Sequence, residues 1–251
     1  MPSGIQSVLK PLFWLRSLLA SAALILITFC AAVGVIFSSS ILRSRKAADR
    51  FIWLWGLLIL KSFNVRAHLV GSENIPDGGC LFVFNHSSNF DIFAIHGVLR
   101  KSARFGAKIE LFKIPIFGWA MRVAGALPIA RAERDKVFRL YDESIARVHR
   151  GESFILAAEG TRQPVPGVGT KFKTGPFVFA INGQFPIVPV VIRGAAECLP
   201  KNHLIACTDG WSHEIQVQIL PSIETKGLTL EDRPRLVDQV QNLMTTAYAQ
   251  R

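Results

Sequence analysis

Residues 80–95 read CLFVFNHSSNFDIFAI, apolar at both ends and polar from Asn85 to Asp91. Desolvated polar groups are costly unless they are paired or used, so a polar window between two blocks fit for burial calls for a structural or chemical reason. The opening CLFVF, at 80–84, is short and bulky, as a buried strand is. A turn follows, and a helix begins near Asn89. On an uninterrupted helix His86 and Asp91 would point about 140° apart, because five residues make about 1.4 turns, so only the turn can bring them together. Once adjacent, the carboxylate can hold one imidazole nitrogen protonated while the other accepts a proton from a hydroxyl. Spacing alone leaves open the plainer reading, in which Asp91 caps a helix and His86 fills a turn.

Outward from this segment, short β-rich runs alternate with helical stretches. Strands are expected at 65–70, 80–84, 103–108, 126–130, 153–158, 185–192 and 214–220. Helical spacing or length marks 90–100, 110–124, 133–149 and 174–182, and an amphipathic helix is expected at 231–249. Such alternation predicts an α/β fold with a mixed, largely parallel sheet flanked by helices, and functional groups gathered where strands end and helices begin.

The N-terminal part has a different character. From Ser17 to Leu42 no side chain is charged, and as a helix this run would extend roughly 39 Å against a hydrocarbon core of about 30 Å. A second block, FIWLWGLLIL at 51–60, is too short to cross alone and suits an interfacial or partly embedded helix. Trp14, Trp53 and Trp55 sit near the ends of the blocks, where indole rings favour the headgroup zone. The expectation is an N-terminal hydrophobic two-helix membrane anchor over 1–63 and an α/β domain over 64–251. A cleavable signal peptide is the competing account, against which the length of the run and the cluster Arg43, Arg45, Lys46 and Arg50 directly after it both argue. If the run spans, those cations hold the main domain in the cytoplasm; if the helices dip into one leaflet, the cations meet the same anionic face. Either way the main domain lies on the cytoplasmic face of the cell membrane.

Half of the 251 residues are hydrophobic, which excludes disorder, and the net charge of +11 predicts an anionic partner. Aromatic residues lie in apolar blocks without interleaved cations, so nucleic acid is not expected. Cys30, Cys80, Cys198 and Cys207 show no CxxC pair and no zinc-like spacing, so neither disulfides nor a metal site is expected.

The NHSSNFD window resembles the H-x4-D motif of the glycerolipid acyltransferases, and three more blocks follow in that family's order. KIELFKIPIFGWAMRVAGALPIAR at 108–131 is similar to the second block, AEGTR at 158–162 to the third and IVPVVI at 187–192 to the fourth. Ala158 stands where that family usually has proline, which loosens the turn before Glu159, and Gln163 stands where serine is usual. In size and layout the chain is similar to the bacterial members that acylate lysophosphatidate. The resemblance implies transfer of a fatty acyl chain from a thioester co-substrate, acyl-CoA or acyl-ACP, to the hydroxyl of a lysophospholipid, with no cofactor or metal. The expected partners are therefore the lysophospholipid and acyl thioester substrates, an anionic membrane surface and an acyl carrier protein.

On this reading His86 is the general base and Asp91 orients its ring, as in a serine-protease relay whose hydroxyl belongs to the substrate. Ser87 and Ser88 are then turn residues. Lys108, Arg131 and Arg162 are expected to bind the acceptor phosphate. Glu159 would accept hydrogen bonds from the acceptor's glycerol or fix the neighbouring arginine. Gly160 would permit a tight backbone approach, and Thr161 would add a hydroxyl. Lys171 and Lys173, in a glycine-punctuated loop, serve either the substrates or a solvated hinge. The tetrahedral intermediate needs donors, either backbone amides or an arginine. Phe82, Phe84, Phe112, Phe117 and Trp119 are the candidates to line an apolar groove. Glycerol 3-phosphate, a lyso-ornithine lipid or another lysophospholipid remain possible acceptors, and a non-catalytic lipid-binding protein is the reading from another class.

Overall fold

A computed structural model of the chain describes residues 3–130 and 133–250. Its centre is a seven-stranded sheet formed by β1 (Val65–Val70), β2 (Leu81–Phe84), β3 (Ala103–Lys108), β4 (Leu127–Ile129), β5 (Ser153–Ala157), β6 (Ile187–Arg193) and β7 (His213–Ile219). The spatial order is β1-β7-β6-β2-β5-β3-β4. All neighbouring strands run parallel except β6 and β7, so the sheet is mixed and largely parallel.

β2 sits near the middle, and all four of its residues are buried. Because side chains alternate across a strand, Leu81 and Val83 enter one hydrophobic cluster and Phe82 and Phe84 the other. The first cluster is roofed by α5 (Arg134–His149), α6 (Gly175–Gly183) and α8 (Arg233–Ala249), through residues such as Tyr141, Phe177 and Val240. The second lies under α2 (Arg45–Ser62) and α3 (Phe90–Val98), through Ile59, Leu60 and Phe90. Covering both faces is what makes the central strands continuously apolar.

The expected helix over 110–124 is broken. Residues Ile109–Lys113 form a 3-10 turn, and α4 starts only at Phe117 (Phe117–Val123). Pro115 bars the α region to the residue before it. Ile116 follows at φ 64° and ψ −57°, with Phe117 N–H donating to the Pro115 carbonyl at 2.6 Å, a γ-turn strained for a β-branched residue. A short α7 (Ala195–Cys198) was not foreseen, because four residues carry no periodicity.

At the N-terminus α1 runs Ser3–Ile36 and continues in a π-turn to Ile41. Among the described residues Lys10–Ile41 is the one helical stretch long and apolar enough to cross a membrane. Leu15, Leu19, Ile25, Leu26 and Ile41 are exposed along it, an unusual length of bare apolar surface. The second expected apolar helix is present as α2, but it packs into the fold. A Cβ at Gly56 would stand 2.7 Å from the Gly97 amide nitrogen and the Phe93 carbonyl, so only glycine lets α2 and α3 approach this closely. Trp53 donates to the Gly97 carbonyl at 2.9 Å, and Trp55 to Thr28 of α1 at 3.0 Å.

Candidate active site

The turn between β2 and α3 joins His86 to Asp91. Its residues stop being helical until Phe90, so the backbone folds around the Asp91 carboxylate rather than carrying it away. Asp91 Oδ2 accepts from the Ser87 and Ser88 amides at 2.8 and 2.9 Å and lies 2.9 Å from His86 Nδ1. The carboxylate can only accept there, so Nδ1 carries the proton and Nε2 is left as the acceptor. Asp91 is fully buried, while the His86 side chain keeps 12% of its exposure. The Phe84 ring meets the imidazole edge-on at 5.4 Å and fixes its plane.

The other polar residues of the window are employed as braces. Asn85 is fully buried; its Oδ1 accepts from the Ile192 amide at 2.7 Å and its Nδ2 donates to the Ile192 and Gly167 carbonyls. Ser88 Oγ donates to the Leu199 carbonyl at 2.9 Å and accepts from the Phe90 amide. Both serines thus shape the turn, as expected of them.

Glu159 follows the end of β5 and is 2% exposed. Its two oxygens accept from the His86 amide at 3.1 Å and the Gly169 amide at 3.0 Å. Among the described residues its partners are these two amides rather than an arginine, and the carboxylate locks the 160–169 loop to the His86 turn. Burial pushes the Glu159 carboxyl up, and the two amides hold it back. Ala158 does not loosen this turn. Its N–H donates to the Phe84 carbonyl at 2.9 Å, a bond proline lacks, and its carbonyl accepts from Lys173 at 2.8 Å. Gln163 N–H closes on the His86 carbonyl at 2.7 Å.

His86 faces a cavity of about 560 Å³, within the size range of ligand pockets. One part of its wall is apolar, with Ala31, Val35, Ile52, Trp55, Phe117 and Met121 from α1, α2 and α4. Lys108, Thr161, Arg162 and Lys201 line it as well. Of the expected site residues, His86, Lys108, Thr161 and Arg162 therefore share one cavity, with Asp91 behind His86 and Glu159 behind the turn. Lys108 Nζ is half-exposed, 3.4 Å from Glu110. Gly160 sits at φ 68°, in the left-handed region glycine favours, under the Lys173 stem rather than on the cavity wall. Arg131 lies outside the described residues. Lys171 and Lys173 are exposed and away from the cavity lining.

Of the expected groove residues Phe84 and Phe117 line the cavity, Phe82 and Phe112 are buried elsewhere, and Trp119 points to solvent. Sequence reasoning missed Lys201, which has no motif around it, and Arg104, a buried cation on the wall paired with Asp49 of α2. It also missed His96, which burial, with Arg104 beside it, holds down to about 4, so a neutral imidazole lines the apolar part. The one cysteine-histidine cluster of ligand spacing among the described residues lies apart from this cavity.

The sequence model of the family described as acyltransferase matches residues 66–193, just over half the chain. A chloroplastic 1-acyl-sn-glycerol-3-phosphate acyltransferase of Brassica napus is 32% identical over 63% of this chain and 46% of its own length. A 1-acyl-sn-glycerol-3-phosphate acyltransferase of Pseudomonas aeruginosa is 29% identical over 70% of this chain and 65% of its own. The chain thus spans less than two thirds of these curated relatives. The crystal structure of the 1-acyl-sn-glycerophosphate acyltransferase of Thermotoga maritima superposes with a TM-score of 0.78 at 26% identity, covering 97% of this chain and 96% of that one.

Proposed function

The chain belongs to the acyltransferase family, and on that premise we propose that it moves a fatty acyl chain from a thioester, acyl-CoA or acyl-ACP, to the sn-2 hydroxyl of lysophosphatidate, giving phosphatidate. The observation that carries the reading is His86 Nε2, freed to accept a proton by the 2.9 Å contact of Nδ1 with Asp91, facing a cavity that is apolar on one part of its wall and cationic on another. An alcohol is a poor nucleophile at neutral pH, and a base in hydrogen-bond reach supplies what it lacks. His86 takes the hydroxyl proton as the oxygen attacks the thioester carbonyl. Asp91 steadies the imidazolium, and collapse of the intermediate expels the thiolate, which recovers the proton from His86. No acyl-enzyme and no cofactor is needed.

Lys108, Arg162 and Lys201, with Arg131, hold the acceptor phosphate, for which guanidinium and ammonium groups are the fitting donors. The apolar wall accepts an acyl chain. Residues 1–63 serve as a two-helix membrane anchor, α1 embedded and α2 bridging to the catalytic part at 64–251. Leu111 lines the cavity and, like Ile114, Ile116 and Trp119 on the segment that leads into α4, is exposed, an apolar surface that supports entry of the lipid from the bilayer. The exposed cations Arg43, Arg45, Lys46 and Arg50 fit an anionic cytoplasmic leaflet.

The test is thiol release from acyl-CoA by purified protein in detergent, with a panel of lysolipid acceptors. Release that requires lysophosphatidate is expected, and His86→Ala should abolish it while the protein still sediments with membranes. Release without any acceptor would indicate a thioesterase and end the reading, as would unchanged turnover in the variant.

A further inference from the structure

Two cysteines and a histidine that the proposed reaction does not use converge between β6 and β7. Cys198 closes α7, Cys207 lies in the following loop and His213 opens β7. Their ligand atoms all stand within 4.8 Å of one another. Both thiols are buried, and the His213 side chain is only 9% exposed. His213 Nε2 is buried without a hydrogen-bond partner, an expensive state for a polar atom. Asp209 Oδ1 is 3.5 Å from that nitrogen, on the solvent side.

We propose that Cys198, Cys207 and His213 form a structural zinc site, with Asp209 or a water molecule as fourth ligand. Two thiolates and an imidazole are the donor set of a borderline-soft d10 cation. In a tetrahedral site with Zn–S about 2.3 Å and Zn–N about 2.0–2.1 Å, donors lie about 3.5–3.8 Å apart. Donors now separated by up to 4.8 Å need close by only about 1 Å to hold the ion. The linear spacing argued against a metal because the ligands are far apart along the chain. The loop reverses them into contact, with Cys207 at φ 55° and its N–H donating to the Cys198 carbonyl at 2.7 Å.

The ion clips this loop to the rest of the molecule. The Cys207 carbonyl accepts from Ser17 Oγ at 3.0 Å and from Arg16 at 2.6 Å, and Arg16 also holds the Gly210 and Trp211 carbonyls, so α1 is fastened to the same loop. On the other side, Leu199 receives Ser88 of the His86 turn, and Lys201 lines the cavity.

The full-length protein, purified in detergent with reductant and stripped with a chelator, is titrated with Zn2+ against a chromophoric competitor, and with Co2+ alone. One ion per chain and a thiolate-to-cobalt charge-transfer band are expected. Both should vanish in the Cys198→Ser, Cys207→Ser double variant, and zinc affinity should fall at least about tenfold in His213→Gln. Cys30→Ser, on exposed α1 surface, should bind as the parent does. Should the double variant not fold, Cys198→Ser alone must cut the cobalt band to about half or less, since only one thiolate remains, and must weaken zinc binding. Lack of uptake by the reduced parent, a cobalt spectrum without the thiolate band, or uptake that survives loss of these thiols overturns the site.

Discussion

Asp91 Oδ2 gathers three contacts, from His86 Nδ1 and two backbone amides, while its Oδ1 is buried with none. An asparagine could turn its oxygen to the same donors, so Asp91→Asn should fold normally yet lose the negative charge that supports an imidazolium. Its kcat should fall about 10²–10⁴-fold with KM little changed, as steady-state kinetics would show. Glu159 is a brace by contrast. An amide side chain can accept only one of the His86 and Gly169 N–H bonds, so Glu159→Gln should lower stability by about 1–3 kcal/mol in denaturant titration. His96 sets a pH dependence. An unfolded histidine takes up a proton near pH 6.5, but the folded one resists until about 4, so the unfolded state binds more protons between those values. Stability should therefore fall as pH drops from about 6.5 towards 4, by on the order of 3 kcal/mol. His96→Phe should remove that slope. The comparison of the two proteins isolates His96 from Glu159, whose raised carboxyl works in the opposite sense.

Among the elements, α2 decides how the N-terminal part meets the sheet. Its contact with α3 depends on two glycines, Gly56 and Gly97, facing each other, and Arg104 of β3 reaches Asp49 from below. Gly56→Ala puts a methyl group against backbone that cannot rotate aside. A loss of about 1–3 kcal/mol in thermal or chemical unfolding is expected, and no loss would mean that the helices stand farther apart than described here. The seven strands were all legible within a residue or two, the central ones as continuous apolar runs and the edge ones, such as β1 and β7, by alternation of buried and exposed residues. The break at Pro115–Ile116 was legible only in part: the proline was visible, but the strained turn after it depends on Gly118 and Arg122 packing against the Phe112 carbonyl.

At the scale of the whole molecule, a charge of +11, four exposed cations after α1 and a bare apolar helix point the same way. Replacing Arg43, Lys46 and Arg50 by glutamine, and sparing Arg45 for its ion pair with Glu152, should weaken cosedimentation with anionic vesicles and flatten its salt dependence. Turnover of detergent-dispersed substrate should stay the same. Equal vesicle binding by the variant would show that α1 alone attaches the protein.

Chain order by itself determined the α/β alternation and the apolar N-terminal helix, since each depends on residues within a helix length of one another, whereas the pairing of His86 with Asp91 was singled out by the resemblance and brought into contact only by the folded turn. It also supplied Lys108 and Arg162, though through a resemblance rather than through their own surroundings. Only the tertiary structure decided that Glu159 braces two loops, that Lys201 and Arg104 reach the cavity wall, that α2 belongs partly to the core, and that Cys198, Cys207 and His213 meet. The physical reason is separation: local periodicity reports which way a side chain faces, whereas partners brought from distant strands by sheet pairing leave no periodic trace in either segment.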